Sequence, residues 1–289
     1  MHFHRIFMLL LISLLVVSCS RVAVFYRTAD LFIEKYADDY LSLDSGQLAA
    51  WEPTLAANMA RHRREELPHL AVFFGGLHDA ARTGFKAAGT ECLLGAFEDL
   101  YRRQFRLAAE LATPLLVSLR PQQVRALERK FAEDARDGAD ENPNRVQHRL
   151  RKRAERWSES AEWWIGSLTG SQRQIIREVT KAMPDTAADW TAYRQARRAG
   201  LIRLLDRKAG EPEIRRYLTD WLAYHKDLLP PLRTAKRTIQ RQIVRLFIRL
   251  NASFSRTQRT HLMERLANLR DDFMGLQKDP RMVPLGCAG

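Results

Sequence analysis

The chain has 289 residues, of which 46% are hydrophobic and 28% are charged. This composition excludes a disordered chain and is sufficient for one large or two small domains with a hydrophobic core. The formal net charge of +13 is typical of proteins that contact nucleic acid, a membrane surface or an acidic polymer.

The chain begins with a short positive segment and an apolar run. Arg5 precedes residues 6–17, which are apolar apart from Ser13. A run of this length is typical of a secretory signal and is too short to cross a hydrocarbon core, which needs about 20 residues. The sequence therefore predicts a signal peptide over residues 1–18.

The signal ends in the tetrad Val16-Val17-Ser18-Cys19, which resembles the lipobox of bacterial lipoproteins. The resemblance implies cleavage before Cys19 and attachment of diacylglycerol to its thiol, with fatty acyl chains such as palmitate holding the protein on a membrane. Ser20 replaces the Asp that favours the inner membrane in enteric bacteria, so the family rule implies the outer membrane, facing the periplasm. The alternatives are an ordinary signal with a chance cysteine and a short uncleaved anchor.

Export restricts the partners of a basic protein. Nucleic acid is excluded as a partner of an exported protein, and the remaining candidates are anionic lipid, lipopolysaccharide, cell-wall polymer or another envelope protein. The predicted organisation is a signal peptide over 1–18, a lipidated linker over 19–27, a helical domain over 28–278 and an extended tail over 279–289. The polar stretch 137–144 is a possible sub-domain boundary.

Helical spacing runs through the whole domain, and strand patterns are nearly absent. We therefore predict an all-α fold, an irregular bundle of about ten helices. The first predicted helix starts at Thr28, and one side of it carries Leu31, Phe32, Lys35 through its stem, Tyr36 and Tyr40. Further along, Trp157 and Trp164 belong to a core stripe from which Trp163 is displaced.

One phrase occurs four times, at 42–47, 118–123, 167–172 and 253–258. Asp44, Thr169 and Ser255 stand where a side-chain oxygen caps a helix, and a Gln follows each of them three residues later, as in a capping box. The second copy has Arg120 instead, which cannot cap. The phrases therefore predict helix starts. The third copy, Leu168-Thr-x-x-Gln172, resembles a motif of small helical periplasmic chaperones.

A broader resemblance covers most of the chain. It is similar to an uncharacterised family of proteobacterial helical lipoproteins, a domain of unknown function, and this resemblance implies no activity. The matching features, besides the second and third phrases, are Cys19-Ser-Arg21, Tyr26, Ala29-Asp30, Asp38-Asp39-Tyr40, residues 61–64 (Arg-His-Arg-Arg) and Glu66-Leu67-Pro68.

The sequence predicts neither catalysis nor a cofactor. Nucleophile motifs and glycine-rich phosphate loops are missing, and the adjacent Asp38 and Asp39 would point about 100° apart on a helix. His62, Glu66 and His69 could line one helical face, but Pro68 interrupts it. We favour a surface pair of His62 with Glu66 and expect no metal site.

Two basic stretches are candidate binding surfaces. The first is a row of arginines spaced four residues apart: Arg237, Arg241, Arg245 and Arg249. Like charges at this spacing repel each other unless something neutralises them. The row is therefore a possible anion-binding face. The second stretch contains Arg149, Arg151, Lys152 and Arg153. The alternative is that acidic faces elsewhere in the bundle pair with both stretches.

Two cysteines remain once Cys19 is assigned to lipid. Cys92 and Cys287 form a possible disulfide in an oxidising compartment, and the alternative is two reduced thiols. The expected function is that of a lipid-anchored envelope protein with a structural or interaction role, not an enzyme. The alternative is a periplasmic helical chaperone or envelope-stress sensor.

Overall fold

The computed structural model describes residues 21–138, 143–281 and 283–285. This part of the chain is helical throughout and contains no strand, so the predicted all-α fold is confirmed. The helices are α1 (Arg21–Arg27), α2 (Ala29–Leu41), α3 (Ser45–Glu65), α4 (Leu67–Thr83), α5 (Ala87–Ser118), α6 (Pro121–Gly138), α7 (Pro143–Ile165), α8 (Gly170–Lys181), α9 (Ala187–Asp206), α10 (Glu211–Leu222), α11 (Pro230–Ala252) and α12 (Arg256–Gly275).

The core consists of three hydrophobic clusters joined by α5. Leu93 and Leu100 of α5 lie in the first cluster, which also contains residues of α4, α7, α8, α11 and α12. Leu116 lies in the second cluster, with α6, α9 and α10, and Leu111 lies in the third, with α3. Helices α6 and α7, which flank the predicted boundary at 137–144, thus belong to different clusters that share α5. Trp157 and Trp164 pack against the first cluster, while Trp163 is exposed, as predicted.

The predicted capping boxes are confirmed at all three positions. Asp44, Thr169 and Ser255 each accept a hydrogen bond from the backbone N–H of the Gln three residues later, and each Gln side chain accepts one from the backbone of the capping residue. These bonds satisfy amide groups that the first turn of a helix leaves without partners. They explain why α3, α8 and α12 begin where they do.

The four phrases also meet in pairs, which the sequence did not predict. Gln172 and Gln258 face each other, and each side-chain amide donates to the Oε1 of the other at 2.9 Å. Gln172 Nε2 also donates to the carbonyl of Ser253 at 3.1 Å, and Gln258 Nε2 donates to that of Ser167 at 2.9 Å. We call this pair the second Gln clasp, because its two glutamines belong to the third and fourth phrases. It ties the start of α8 to the start of α12, 86 residues apart.

The first Gln clasp joins α3 to α6 in the same way. Gln47 and Gln123 exchange amide hydrogen bonds of 3.2 and 2.8 Å. Arg120, at the capping position of α6, has no capping side chain, but its backbone N–H donates to Gln123 Oε1 at 2.9 Å. Its guanidinium forms an ion pair with Asp44, the cap of α3. The second phrase therefore begins its helix with half of a capping box and a partner from the first phrase.

Helix α2 packs with its other side inward. Leu31, Phe32 and Tyr36 are 64%, 58% and 69% exposed, although their spacing is that of a core-facing stripe. Ile33, Ala37 and Leu41 pack on the third cluster instead. The side that packs on α3 is therefore the opposite one, which carries Ile33, Ala37 and Leu41.

The chain is already helical at Arg21, inside the segment predicted as a linker. Tyr26 of this short helix is buried, and its hydroxyl hydrogen-bonds His62 Nδ1 of α3 at 2.9 Å. The Arg63 guanidinium lies 5.4 Å from the centre of the Tyr26 ring. These contacts with α3 therefore hold helix α1 against the rest of the fold.

Candidate functional site

The predicted row of arginines lies on α11, which packs against α8. Arg237, Arg241 and Arg245 are exposed, and Arg241 donates a hydrogen bond to Thr238 of its own helix. None of these three forms an ion pair within the described chain. Arg249 is different, because it is half-buried and pairs with Glu178 of α8 at 2.8 Å. Three of the four predicted residues therefore present unneutralised charge, and we call Arg237, Arg241 and Arg245 the arginine row.

Glu178 is an acidic residue that interacts with the C-terminal end of this row. Hydrogen bonds from Gln174 and Arg249 lower the pKa of Glu178 below its ordinary value, and the charge of Arg245 contributes in the same direction. Glu178 is therefore ionised and already engaged by Arg249. One carboxylate at one end of the row cannot neutralise the other three cations.

The second basic stretch, on α7, serves the fold. Arg153 donates to the carbonyl of Thr180 in the last turn of α8 at 3.4 Å and to those of Met183 at 2.9 Å and Pro184 at 3.2 Å just beyond it. It thus caps the C-terminal end of α8, where carbonyls lack helical partners. Arg149 pairs with Asp185 at 2.9 Å, and Lys152 pairs with Glu155 of its own helix. Arg151 is exposed. The alternative interpretation, pairing within the bundle, thus describes most of this stretch.

A cleft of about 350 Å³ opens between α5, α11 and the loop after α10. Its aromatic wall centres on His225, whose Nε2 lies 3.1 Å from the hydroxyl of Tyr101. The indole of Trp190 meets the imidazole edge to face, with 5.4 Å between ring centres. On the rim, Glu98 pairs with both Lys236 and Arg102 at 2.6 Å. The cleft thus offers aromatic faces with little net charge.

The loop that carries His225 has an unusual backbone. His225 and Asp227 have φ values of 46° and 60°, a region that residues other than glycine rarely adopt and that costs about 1–3 kcal/mol unless the surroundings impose it. Arg197, which is buried, pairs with Asp227 at 3.1 Å, and Tyr193 donates to the carbonyl of Lys226 at 2.9 Å. These bonds and the Tyr101 contact hold the loop in place.

The chemistry of the cleft depends on a neutral imidazole. Burial lowers the pKa of His225 below its ordinary value, and the positive charge of Lys236 lowers it further. Burial also raises the pKa of the Tyr101 phenol. The pair therefore consists of a neutral base and a neutral donor between aromatic walls, which suits stacking on a flat ligand. The sequence did not predict this cleft, because its residues come from three distant helices and share no spacing.

The candidate metal residues are engaged in a different network. His62 Nε2 hydrogen-bonds Gln104 Oε1 at 2.8 Å, and the buried Glu66 accepts two hydrogen bonds from Arg103, at 2.8 and 2.9 Å. Burial lowers the pKa of His62. The predicted surface pair of His62 with Glu66 is wrong, because Glu66 is buried and Gln104 bridges the two, donating to Glu66 at 3.4 Å. Within the described residues, no group of three or more His, Cys, Asp or Glu side chains is arranged to hold a metal ion.

The predicted lipidation residues Val16, Val17, Ser18, Cys19 and Ser20 lie outside the described residues, so their roles stay predictions. In the part of the chain that the structure describes, no helix has the length and apolar character needed to span a membrane.

The proposed disulfide has one end in the described chain. Cys92 is disulfide-bonded, and it lines a cavity together with Pro284 and Leu285 of the C-terminal tail. Cys287, two residues beyond Leu285, lies outside the described residues. The tail therefore runs beside Cys92, which favours the predicted pairing with Cys287.

The phrase that resembles the chaperone motif has a structural role. Leu168 is buried in the first hydrophobic cluster, and Gln172 is fully buried in the second Gln clasp. Neither side chain is presented to solvent, where a client protein would bind. The motif thus explains a helix start and a tertiary contact.

A comparison with protein families identifies the family of this chain. The model of a family of unknown function (DUF6279) matches residues 39–232, a span that contains the first Gln clasp and His225 but ends before the arginine row. No curated protein and no solved structure matches the chain. Because the family model covers more than half of the sequence, the chain belongs to the family of unknown function DUF6279.

Proposed function

We propose that this protein is a lipid-anchored envelope lipoprotein, facing the periplasm from the outer membrane, whose arginine row binds an anionic envelope component. Its role is to hold that component near the membrane, not to transform it chemically. The observation that carries the proposal is the exposure of Arg237, Arg241 and Arg245 without an acidic partner in the described chain.

The energetics of the row support a binding role. Like charges four residues apart on a helix each cost a few tenths of a kcal/mol, so an isolated row is slightly unfavourable. A phosphate- or carboxylate-bearing surface reverses the sign, because each Lys or Arg near an anionic surface contributes about 1 kcal/mol. Three such residues contribute about 3 kcal/mol, which is more than a hundred-fold in a binding constant.

The short path from the predicted anchor to the body also supports the proposal. Helix α1 begins at Arg21, two residues after Cys19. At no more than about 3.6 Å per residue, the lipid-bearing cysteine lies within about 7 Å of the first helical residue. Because Tyr26 fixes α1 to α3, the acyl chains would hold the folded body directly at the membrane.

The anion-binding part is tested with anionic vesicles as the probe. The processed chain, starting at Cys19→Ser so that no lipid is attached, is sedimented with vesicles containing phosphatidylglycerol at low salt. The triple substitution Arg237→Gln, Arg241→Gln and Arg245→Gln should weaken binding more than a hundred-fold.

A matched control removes the same charge elsewhere. Arg125, Arg129 and Arg216 are also exposed and form no ion pair within the described chain, so their replacement by Gln lowers the net charge equally. This control should weaken binding far less, and high salt should release the parent chain. Equal losses in the two triple variants would mean that net charge, and not the row, binds the surface.

The anchor is tested separately in cells. Labelled palmitate should appear in the parent protein and be absent from the Cys19→Ser variant, which should also lose its membrane retention. A parent protein without label would refute the lipoprotein assignment and leave the vesicle result standing.

A further inference from the structure

The outward side of α2 is a contiguous apolar surface. Leu31 and Phe32 are adjacent, Tyr36 lies one turn beyond Phe32, and all three are more than half exposed. No residue of α2 is fully buried. Single exposed apolar side chains are common, whereas a cluster of large ones marks an interaction surface.

Most of this surface is exposed to solvent. Helix α2 contacts α1, α3 and α6; Ile33, Ala37 and Leu41 pack on the cluster with α3, and Tyr40 packs against Phe131 of α6. Val24 of α1 is also exposed, at 52%. The first two helices of the described residues thus both present large apolar side chains to solvent.

The position of the chain end indicates what covers this surface. Twenty residues precede Arg21, and they include the apolar run 6–17 and Cys19. Either acyl chains on Cys19 or an uncleaved apolar run would place a bilayer within a few residues of α1. We propose that α1 and α2 lie on that bilayer, with Leu31, Phe32 and Tyr36 entering the boundary between headgroups and acyl chains. This inference rests on the proposed anchoring of the chain at Cys19.

The positions of the charged residues of α2 are compatible with a shallow insertion of its N-terminal half into the bilayer. Lys35 pairs with Asp39 at 3.3 Å, and both lie on the outward side beyond Leu31 and Phe32. A lysine stem can lie along an apolar surface while its ammonium group stays at headgroup level, and tyrosine favours the same depth. Leu31 and Phe32 would therefore penetrate deepest, and Tyr36 would mark the interface.

The acidic residues of α2 select the kind of lipid. Asp30, Glu34, Asp38 and Asp39 give the helix four carboxylates against one lysine. Attraction to an anionic headgroup layer is thus excluded as the driving force, and burial of apolar surface supplies it instead. A zwitterionic bilayer is the appropriate probe, and this contact is chemically distinct from that of the arginine row.

The test uses the full lipidated protein in phosphatidylcholine vesicles that contain a phospholipid with a photoactivatable diazirine on its acyl chain. Trypsin cleaves after Arg27 and Lys35, so peptide 28–35 reports on Leu31 and Phe32. Peptide 87–102 is the internal control, because it contains Phe97, which is also exposed but lies on α5. We expect lipid crosslinks on peptide 28–35 and few on peptide 87–102.

Two variants make the result specific. Leu31→Ser, Phe32→Ser and Tyr36→Ser together should lower the labelling of peptide 28–35 on the order of ten-fold or more, because each exposed side chain contributes apolar area to insertion. The control substitutions Phe97→Ser, Val117→Ser and Tyr224→Ser change three apolar residues that are each about half exposed and should leave that labelling unchanged. Circular dichroism checks that both variants keep the helical fold.

The same mass spectra separate this inference from the anchor on which it rests. The tripeptide Cys19–Arg21 carries the acyl mass if the cysteine is lipidated. Acylated protein without lipid crosslinks on peptide 28–35, or with that peptide crosslinked to a second copy of the chain, would overturn the membrane contact while leaving the anchor. Labelled peptide without the acyl mass would refute the anchor and support the contact, and absence of both would refute both.

Discussion

Replacement of Gln172 by Leu should destabilise the protein by about 3 kcal/mol. The side chain is 0% exposed, and Leu fills a similar volume without hydrogen-bonding groups. Its loss leaves the N–H of Thr169 without the 3.0 Å acceptor and the carbonyl of Ser253 without the 3.1 Å donor. The change also removes both 2.9 Å hydrogen bonds to the buried side chain of Gln258. Each buried group that loses its partner costs about 1–3 kcal/mol, and the added apolar surface offsets only part of that loss.

Urea denaturation measures this effect as a lower midpoint, with an unchanged slope of the free energy of unfolding against urea concentration. Gln174→Leu is the matched control, because Gln174 lies on the same helix, is exposed and should change stability by no more than about 0.5 kcal/mol. The double variant Gln172→Leu with Gln258→Leu should cost less than the sum of the single changes, because the second substitution removes a group that the first left unpaired. A Gln172→Leu cost equal to that of the control, or strict additivity in the double variant, would refute the clasp as a coupled unit.

Three further predictions concern stability. Because the pKa of His225 is lowered in the fold, its contribution to stability is complete above the ordinary pKa of about 6.5 and is lost as the pH falls through the lowered pKa. The urea midpoint should therefore drop between pH 7.5 and pH 5. The drop should be smaller in His225→Asn, a substitution that tolerates the positive φ. Arg153→Leu should cost about 1–3 kcal/mol by urea denaturation, because it uncaps α8, whereas Arg151→Leu on the exposed side should change stability by less than about 0.5 kcal/mol. Tyr26→Phe removes the bond to His62 and should cost about 1 kcal/mol locally, seen as faster hydrogen exchange in α1 with an unchanged global midpoint.

The sequence predicted local structure well, because local structure depends on neighbours in the chain. The capping boxes at Asp44, Thr169 and Ser255 follow from a side-chain oxygen and a Gln three residues apart, and all three are present. The contact between Gln172 and Gln258 does not follow from such spacing. An amide that satisfies its own helix start has a second lone pair and two N–H groups available, and only the tertiary fold decides what they meet.

Helix α2 shows why spacing alone does not fix which side of a helix is buried. Leu31, Phe32 and Tyr36 include two large aromatic side chains, yet the set of Ile33, Ala37 and Leu41 packs on α3. A periodic pattern reports that a helix has an apolar side, but it does not identify the medium that this side meets. For a helix next to a membrane anchor, lipid is a second apolar medium beside the protein core.

The span that matches the family ends earlier in the chain than the hydrophobic core does. The matched span 39–232 holds both glutamines of the first clasp but only Gln172 of the second, whose partner Gln258 lies in α12. Leu262 and Leu266 of α12 also belong to the first hydrophobic cluster. The helices after Leu232 are therefore part of the same core, and the arginine row lies on this part of the chain.

The two proposed contacts should respond to salt in opposite ways. The arginine row works through charge, so its affinity for an anionic component should fall as ionic strength rises and the Debye length shortens. Burial of Leu31 and Phe32 does not depend on charge, and screening weakens the repulsion between the carboxylates of α2 and any anionic lipid. High salt should therefore release the bound component while the body stays on the bilayer. Release of both together would mean that one charged surface makes both contacts, which would contradict the separate roles assigned to α2 and α11.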